Sequence, residues 1–245
     1  MAFSRQGADT VVKNGSGFRK MTELETSGDV NEPAWRQRAV SRSLNAARSR
    51  AEQRVQRFLD AAFSLIDEKG TTEFTIQEVI DRSNQSLRGF YQYFNGKDEL
   101  LLALFEETVR EATADLRIVV EAESEPLERL RTFSIRLHEW CDPSEKPSKR
   151  STHNRRPIME FSVQLTVDHS DRVKAAMEPI SRTMLELVDA ANKAGVIKVA
   201  DPRRTAALMQ QTVMYSWFGN RLVDNVRMRL TAEATWEFCL HGLVG

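Results

Sequence analysis

The sequence predicts an all-α fold of nine helices. Apolar residues recur three and four positions apart along most of its 245 residues, which is the period of a helix with one buried face. Residues that cap or start helices, such as Thr75, Pro126 and Thr231, stand between these segments. No stretch gives a convincing strand, so the spacing and the caps together favour helices throughout.

Residues 74–102 contain two short predicted helices joined by a tight turn. Thr75, followed three positions later by Glu78, is a capping box that starts the first of these helices. Residues 81–85 are polar and typical of a turn, and Ser86 starts the second helix. This arrangement predicts a helix-turn-helix, which places its second helix in the major groove of DNA.

An aromatic signature follows the turn and reads Ser86, Phe90, Tyr91, Tyr93, Phe94, Lys97 and Leu100. With the amphipathic helix before it, the run from Val55 to Leu102 resembles the DNA-binding domain of TetR-type transcriptional regulators. The chain departs from that family in the turn, where Ser83-Asn84-Gln85 replaces the usual Ala-Gly-Val. The resemblance implies a TetR-like, nine-helix architecture with a three-helix head. It also implies a body whose last two helices pair with a second subunit as a four-helix bundle.

The chain divides into three predicted parts. Residues 1–44 show no sustained apolar period, so we expect a disordered N-terminal arm. Such an arm either contacts DNA or is a solvated tail with no specific role. Residues 45–96 form the predicted helix-turn-helix head, and residues 97–245 form the predicted helical body for ligand binding and dimerisation. The polar stretch at residues 142–157 is long for a connection in a compact domain.

Most helices carry their own boundary signals. The first is expected from Asn45 to Lys69, ended by Gly70, and the fourth, from Lys97 to Glu121, would join head and body. Pro179 inside the seventh helix predicts a kink. The eighth helix is apolar on more than one side between Ala206 and Gly219, so it needs two buried faces. The body helices other than the fourth are expected to begin near residues 126, 158, 170, 202 and 231.

Charge is unevenly distributed, although the formal net charge is zero. Residues 36–97 carry 11 Lys and Arg against 7 Asp and Glu, which favours contact with phosphates. Within this part, Arg88 and Gln92 have side chains suited to bidentate contacts with guanine and adenine. The expected DNA contacts are Arg48, Arg50, Arg54, Thr75, Ser86, Leu87, Arg88, Gly89, Tyr91, Gln92, Tyr93 and Lys97.

The body is rich in methionine and aromatic residues, which line ligand cavities as well as plain cores. The resemblance to TetR-type regulators favours a cavity for a small effector. A filled core is the alternative for the same residues. The candidate lining residues are Phe133, Trp140, Met159, Phe161, Met177, Met184, Tyr215 and Trp217.

Other kinds of chemistry have little support in the sequence. His138 and Cys141 stand one helical turn apart with His153 beyond, but no second pair has zinc-ligand spacing. No Gly-rich phosphate loop or nucleophile–base arrangement stands out, so we expect no enzyme, no metal and no cofactor. No apolar run reaches about 18 residues, and the N-terminus lacks the apolar core of a signal peptide. We therefore expect a cytoplasmic protein without a membrane span.

These observations predict a ligand-responsive transcriptional regulator. Its simplest form is a homodimeric repressor that an unidentified small hydrophobic effector releases from a palindromic double-stranded DNA operator. A constitutive DNA-binding protein of the same fold, without an inducer, is the first alternative. An enzyme or ligand carrier that uses only the helical body is the second alternative.

Overall fold

The computed structural model describes residues 33–142, 153, 156–222 and 228–244, without the side chains of Trp217, Arg221 and Val244. The described residues contain no strand, which confirms the all-α fold. Their nine helices are α1 (Ala34–Lys69), α2 (Ile76–Ser83), α3 (Leu87–Tyr91), α4 (Lys97–Glu121), α5 (Pro126–Cys141), α6 (Arg156–Asp168), α7 (Ser170–Lys193), α8 (Pro202–Arg221) and α9 (Ala232–Val244).

The first helix starts earlier than its apolar pattern indicates. α1 begins at Ala34, so the prediction that it begins near Asn45 is wrong. The residues from Ala34 to Arg48 include no glycine or proline and are rich in alanine and arginine, which favour a helix by intrinsic propensity. All of them are exposed, so no apolar period marks them in the sequence. The disorder predicted for residues 1–32 lies outside the described residues.

The described chain forms two compact units. Arg48 is the last residue of one unit and Ser49 is the first residue of the other. One hydrophobic core, from Phe58 to Leu243, runs through the larger unit and includes residues of the predicted head and body. The boundary between head and body at residues 96 and 97 remains a prediction.

Three phenylalanines join the helices of the head. Phe58 on α1 packs edge-on against Phe90 on α3 with ring centroids 5.5 Å apart, and against Phe94 at 6.1 Å. Phe58 and Phe90 are fully buried. Edge-to-face pairs prefer defined orientations, so this cluster fixes α3 on α1.

α4 is shared between head and body. Near its start it buries Leu100, Leu101 and Leu102, which are consecutive and therefore point in different directions around the helix. Further along, burial narrows to a single stripe that includes Ala112 and Leu116. A helix that is buried all round at one end must be covered on two faces.

α5 is the central helix of the body and contacts α4, α7, α8 and α9. Its buried side carries Leu130, Phe133 and Leu137. α7 continues through Pro179 as one helix as far as Lys193.

α8 has apolar residues on two faces, as the sequence indicates, but only one face is buried by the chain itself. Met209 and Val213 pack into the core, whereas Leu208, Tyr215 and Phe218 are each more than half exposed. α9 adds Phe238, which is 71% exposed. We call these exposed side chains, Leu208, Tyr215, Phe218 and Phe238, the outer apolar face.

Candidate DNA-binding and effector sites

The start of α2 is held by a reciprocal capping box. The Thr75 hydroxyl oxygen accepts a hydrogen bond from the Glu78 N–H at 3.2 Å, and the Glu78 carboxylate accepts one from the Thr75 N–H at 2.8 Å. The Lys69 ammonium at the end of α1 lies 2.6 Å from the same carboxylate. The hydrogen bond from Lys69, followed by those from Thr75, lowers the pKa of Glu78 from its ordinary 4.5 to about 2. The capping box predicted from the sequence is therefore present.

A second contact also ties α2 to α1. The Arg82 guanidinium lies 2.5 Å from the Glu68 carboxylate and donates to the Ser64 hydroxyl at 2.7 Å. Both partners belong to α1, so each end of α2 is linked to the first helix. These links orient the turn that follows α2.

The turn retains helix-ending geometry although its sequence departs from the family pattern. Asn84 adopts a left-handed conformation with φ 53° and ψ 41°, and its N–H donates to the Ile80 carbonyl. The Gln85 N–H donates to the same carbonyl at 3.3 Å. The Gln85 side-chain amide donates to the Asn84 carbonyl at 3.0 Å, so this polar residue stabilises the turn. Asparagine is the residue other than glycine that most readily adopts this conformation.

α3 has one anchored side and one exposed side. The Ser86 hydroxyl caps it by accepting from the Gly89 N–H at 3.0 Å, while Phe90 is buried against α1. Gly89 sits close to α1 and to its cap, because a Cβ there would lie 3.2 Å from the Ser86 hydroxyl oxygen and 4.0 Å from the Phe58 ring. The exposed side carries Leu87, Arg88, Tyr91 and Gln92.

The remaining predicted DNA contacts are more varied. Thr75 and Ser86 are exposed, and so are Arg50 and Arg54 on α1. Tyr93 is partly buried against the core, so it has less free surface than its exposed neighbours. Lys97 at the start of α4 lies over the Phe74 ring at 5.0 Å, a cation–π contact that the sequence did not indicate. Arg48 is exposed but belongs to the smaller compact unit.

The predicted effector residues differ in how deeply they are buried. Phe133, Met159 and Met184 are buried, and Trp140, Phe161 and Met177 are partly buried. Tyr215 is 57% exposed on the outer apolar face, so it does not line the interior of the body. The side chain of Trp217 lies outside the described residues.

A groove of about 380 Å³ opens between α4 and α7. Arg110 and Arg117 line it from α4, and Ala175 and Pro179 line it from α7. None of the eight predicted effector residues lines this groove. The sequence did not single out Arg110 or Arg117, because an arginine on the solvent side of a helix carries no signal of its own.

His153 links the segment between α5 and α6 to the head. Its ring stacks on Phe63 of α1 with centroids 4.6 Å apart, and Nδ1 lies 2.8 Å from the Asp67 carboxylate. His138 is elsewhere, buried in the body, where burial lowers its pKa. Across the described residues, no group of three or more His, Cys, Asp and Glu side chains is placed to hold a metal ion.

Comparison with known sequences relates the N-terminal helices to a protein family. Residues 58–104 match the profile described as bacterial regulatory proteins, tetR family. The HTH-type transcriptional regulator BetI of Brucella abortus (strain 2308) is 30% identical over 77 residues, which are 31% of this chain and 39% of BetI. Residues 58–104 therefore carry a DNA-binding domain of the TetR type. Because the match spans about two fifths of that relative, it concerns the TetR-type head and not the whole protein.

Two solved structures share the overall fold of this chain. FadR of Bacillus subtilis in complex with stearoyl-CoA has a TM-score of 0.56 at 15% identity, and the match covers 76% of this chain and 98% of FadR. AibR in complex with isovaleryl coenzyme A and operator DNA has a TM-score of 0.50 at 19% identity, covering 78% of this chain and 97% of AibR. At these identities the likeness concerns the fold alone. In the part of the chain that is described, no helix is long and apolar enough to cross a membrane.

Proposed function

We propose that this TetR-family protein is a homodimeric transcriptional regulator that binds a palindromic operator and is released by a small hydrophobic effector. The observation that carries the proposal is the two-sided α3. Phe90 anchors one side in the aromatic cluster, and Arg88 and Gln92 stand exposed on the other. A recognition helix in a helix-turn-helix needs this division between anchor and reading side chains.

Base reading is assigned to α3 and phosphate binding to its surroundings. Arg88 and Gln92 are four positions apart, so they lie on neighbouring turns and reach adjacent bases. Tyr91 and Leu87 provide apolar contact beside them. Thr75, Ser86, Lys97, Arg50 and Arg54 are proposed to contact the DNA backbone, and so is Arg48. The partly buried Gly89 and Tyr93 are proposed to be marginal contacts.

The outer apolar face supports dimerisation. Four large apolar side chains on α8 and α9 are more than half exposed, and contiguous exposed apolar surface of this kind usually marks an interface. We infer that a second copy covers it, which gives a two-fold symmetric pair of heads. Two-fold symmetry then requires half-sites about 34–36 Å apart or a multiple of that distance.

The effector is proposed to have an apolar part and an anionic part. The buried and partly buried Met and Phe side chains of α5, α6 and α7 suit an apolar chain, because methionine adapts to irregular shapes. Arg117 in the groove between α4 and α7 suits carboxylate or phosphate oxygens, and Arg110 beside it pairs with Glu107. FadR and AibR, which share the fold, were solved with acyl-CoA thioesters bound. An acyl thioester or a fatty acid is therefore the first class to test.

The decisive experiment begins with selection of the operator from randomised double-stranded DNA. Arg88→Ala is expected to lose ~1–3 kcal/mol of binding free energy on the selected duplex and to relax the base preference at one position. Arg136→Ala is the matched control, because it removes an exposed charge on α5 that pairs with Glu139. It should leave the binding free energy and the base preference unchanged. The proposal would be refuted if the selection yielded no preferred sequence. It would also be refuted if both variants lost equal affinity for selected and for random DNA.

Effector control is tested on the same selected duplex. Fatty acids, acyl-CoA thioesters, sterols and aromatic drugs are titrated into the complex, and release is followed by fluorescence anisotropy. Release by one class supports the effector proposal. Buried side chains such as Phe133 and Met184 also suit a filled core, so retention of DNA in every titration would favour a constitutive DNA-binding protein of the same fold.

A further inference from the structure

One guanidinium connects the start of α7 to two turns of α4. Arg172 donates from Nε and Nη2 to the two carboxylate oxygens of Glu106 at 3.1 and 3.2 Å. Its Nη1 lies 3.5 Å from a carboxylate oxygen of Glu99. Glu99 and Glu106 are seven residues apart, so they lie on the same side of α4. The planar fork of arginine can hold both carboxylates at once, which a lysine cannot do.

The Glu99 end of this contact reaches the head. The second carboxylate oxygen of Glu99 accepts a hydrogen bond from the Asn95 N–H at 2.7 Å. Asn95 directly follows Phe94, whose ring belongs to the aromatic cluster that fixes α3. A continuous chain of polar contacts therefore runs from α7 through Glu99 to the segment between α3 and α4.

The Arg172 end of the contact lies on the part of α7 before Pro179, where the helix can bend. Pro179 has no N–H, so the Ala175 carbonyl lacks its usual helical partner one turn earlier. Arg172 lies on the short N-terminal piece of α7 beyond that point. The groove between α4 and α7 starts at Glu106 and passes Ala175 and Pro179, so a ligand in this groove would press on the same piece of helix.

Residues of the Arg172 fork also line two grooves. Glu106 lines the groove of about 380 Å³, and Arg172 lines a second groove of about 390 Å³ with His169 and residues 95–99. The fork thus joins α4 to α7 beside both grooves. Loss of the fork would leave the start of α7 less tightly bound to α4.

We propose that Arg172 is a positioning residue that couples the body to the DNA-reading head. The coupling role rests on the proposed function. When an effector moves the N-terminal piece of α7, the fork pulls Glu99 and Glu106 and so turns the start of α4, with α3 attached to it. All three side chains are partly exposed, with 44%, 29% and 37% of Arg172, Glu99 and Glu106 accessible, and exposed ion pairs contribute little to global stability. The fork therefore acts on position more than on unfolding.

The test compares Arg172→Ala and Arg172→Lys with Arg182→Ala. Arg182 is the matched control because it lies on the same helix and pairs only with Glu178 of that helix among its described contacts. The first readout is amide hydrogen exchange of residues 87–99 in the free protein, which requires neither DNA nor effector. We expect both Arg172 variants to exchange faster there, with thermal unfolding unchanged, and Arg182→Ala to match the wild type.

The second readout is the ratio of affinities for the selected duplex and a scrambled duplex. We expect Arg172→Ala to lower this ratio by roughly fivefold or more, and any effector that releases the wild type to have a weaker effect on the variant. Exchange and affinity ratio equal to those of Arg182→Ala would overturn the positioning role. A wild type that selects no duplex would instead contradict the proposed function, and the exchange readout would still decide whether Arg172 positions the head.

Discussion

At the scale of single residues, Asn84 replaces the glycine that the TetR family usually has in the turn. Its left-handed conformation costs a residue with a Cβ about 1–2 kcal/mol, and asparagine reduces that cost with its short polar side chain. Gln85 also stabilises the turn, because its side-chain amide donates a hydrogen bond to the Asn84 carbonyl. The turn keeps its geometry although all three of its residues differ from the usual Ala-Gly-Val of the family.

Asn84→Ala is expected to lower the free energy of unfolding by about 1 kcal/mol, because alanine has no side chain that favours φ above zero. Asn84→Gly is the matched variant and should be neutral or slightly stabilising, since glycine adopts this conformation freely. Urea unfolding followed by circular dichroism measures both. Equal destabilisation by the two variants would show that the Asn84 side chain, and not its backbone conformation, stabilises the turn.

At the scale of helices, the start of α2 depends on a carboxylate with an unusual pKa. The pKa of Glu78 is about 2 in the folded protein and 4.5 ordinarily, because Lys69 and Thr75 stabilise the charged form. A lowered carboxyl pKa stabilises the fold above the ordinary value, and this contribution is lost as the pH falls from about 4.5 towards 2.

Glu78→Gln tests this contribution. Glutamine can retain the hydrogen bonds of the capping box but cannot be ionised. The variant is expected to be less stable than the wild type at pH 6, and the difference should shrink steadily between pH 4.5 and 2. Chemical unfolding at several pH values, with Glu73→Gln as a control on an exposed neighbour, measures the difference. A difference that does not change with pH would contradict the role of charge at Glu78.

The start of α1 shows what an apolar pattern can and cannot predict. From Phe58 onward the buried positions of α1 follow the helical period, so this part was predicted from the sequence. Between Ala34 and Arg48 the helix rests on propensity alone, because every side chain is exposed. Apolar periodicity reports which positions are buried and not helix formation itself. It therefore did not predict the exposed helical segment from Ala34 to Arg48.

Deletion of residues 1–44 is expected to leave the fold intact, because the described part of this segment buries no side chain. The melting temperature should change little. DNA affinity should fall only modestly, since Arg48, Arg50 and Arg54 remain. Thermal unfolding and affinity measurements at several salt concentrations provide the check, and a truncated protein that cannot fold would contradict it.

At the scale of the whole molecule, the outer apolar face is apolar surface that the described part of a single chain leaves exposed. Phe238→Asp and Leu208→Asp are each expected to weaken dimerisation by roughly 2 kcal/mol or more, because each would place a carboxylate in the proposed interface. Val167→Asp on α6, where Val167 is 81% exposed, is the control and should keep the wild-type mass. Sedimentation equilibrium at micromolar concentration measures the mass. A wild type that is monomeric there would rule out the interface.

The sequence predicted the local contacts of the helix-turn-helix and missed the long-range contacts around it. Thr75, Ser86 and the aromatic signature act through residues close by in the chain, so their spacing was sufficient. The contact of Arg172 with Glu106 and that of His153 with Asp67 join residues 66 and 86 positions apart, and no local pattern reveals such pairs. The effector residues were harder for the same reason, because burial of Phe133 and exposure of Tyr215 depend on tertiary packing.

The stack of His153 on Phe63 has a consequence for synthesis of the chain. Asp67 and its partner His153 are separated by 86 residues. At about 5–20 residues per second, a ribosome needs roughly 4–17 seconds to make the intervening chain. The nascent head can assemble its aromatic cluster during that interval, but Phe63 stays without its stacked ring. The stack on Phe63 can therefore form only after His153, which lies beyond the middle of the chain, has been synthesised and has left the ribosome.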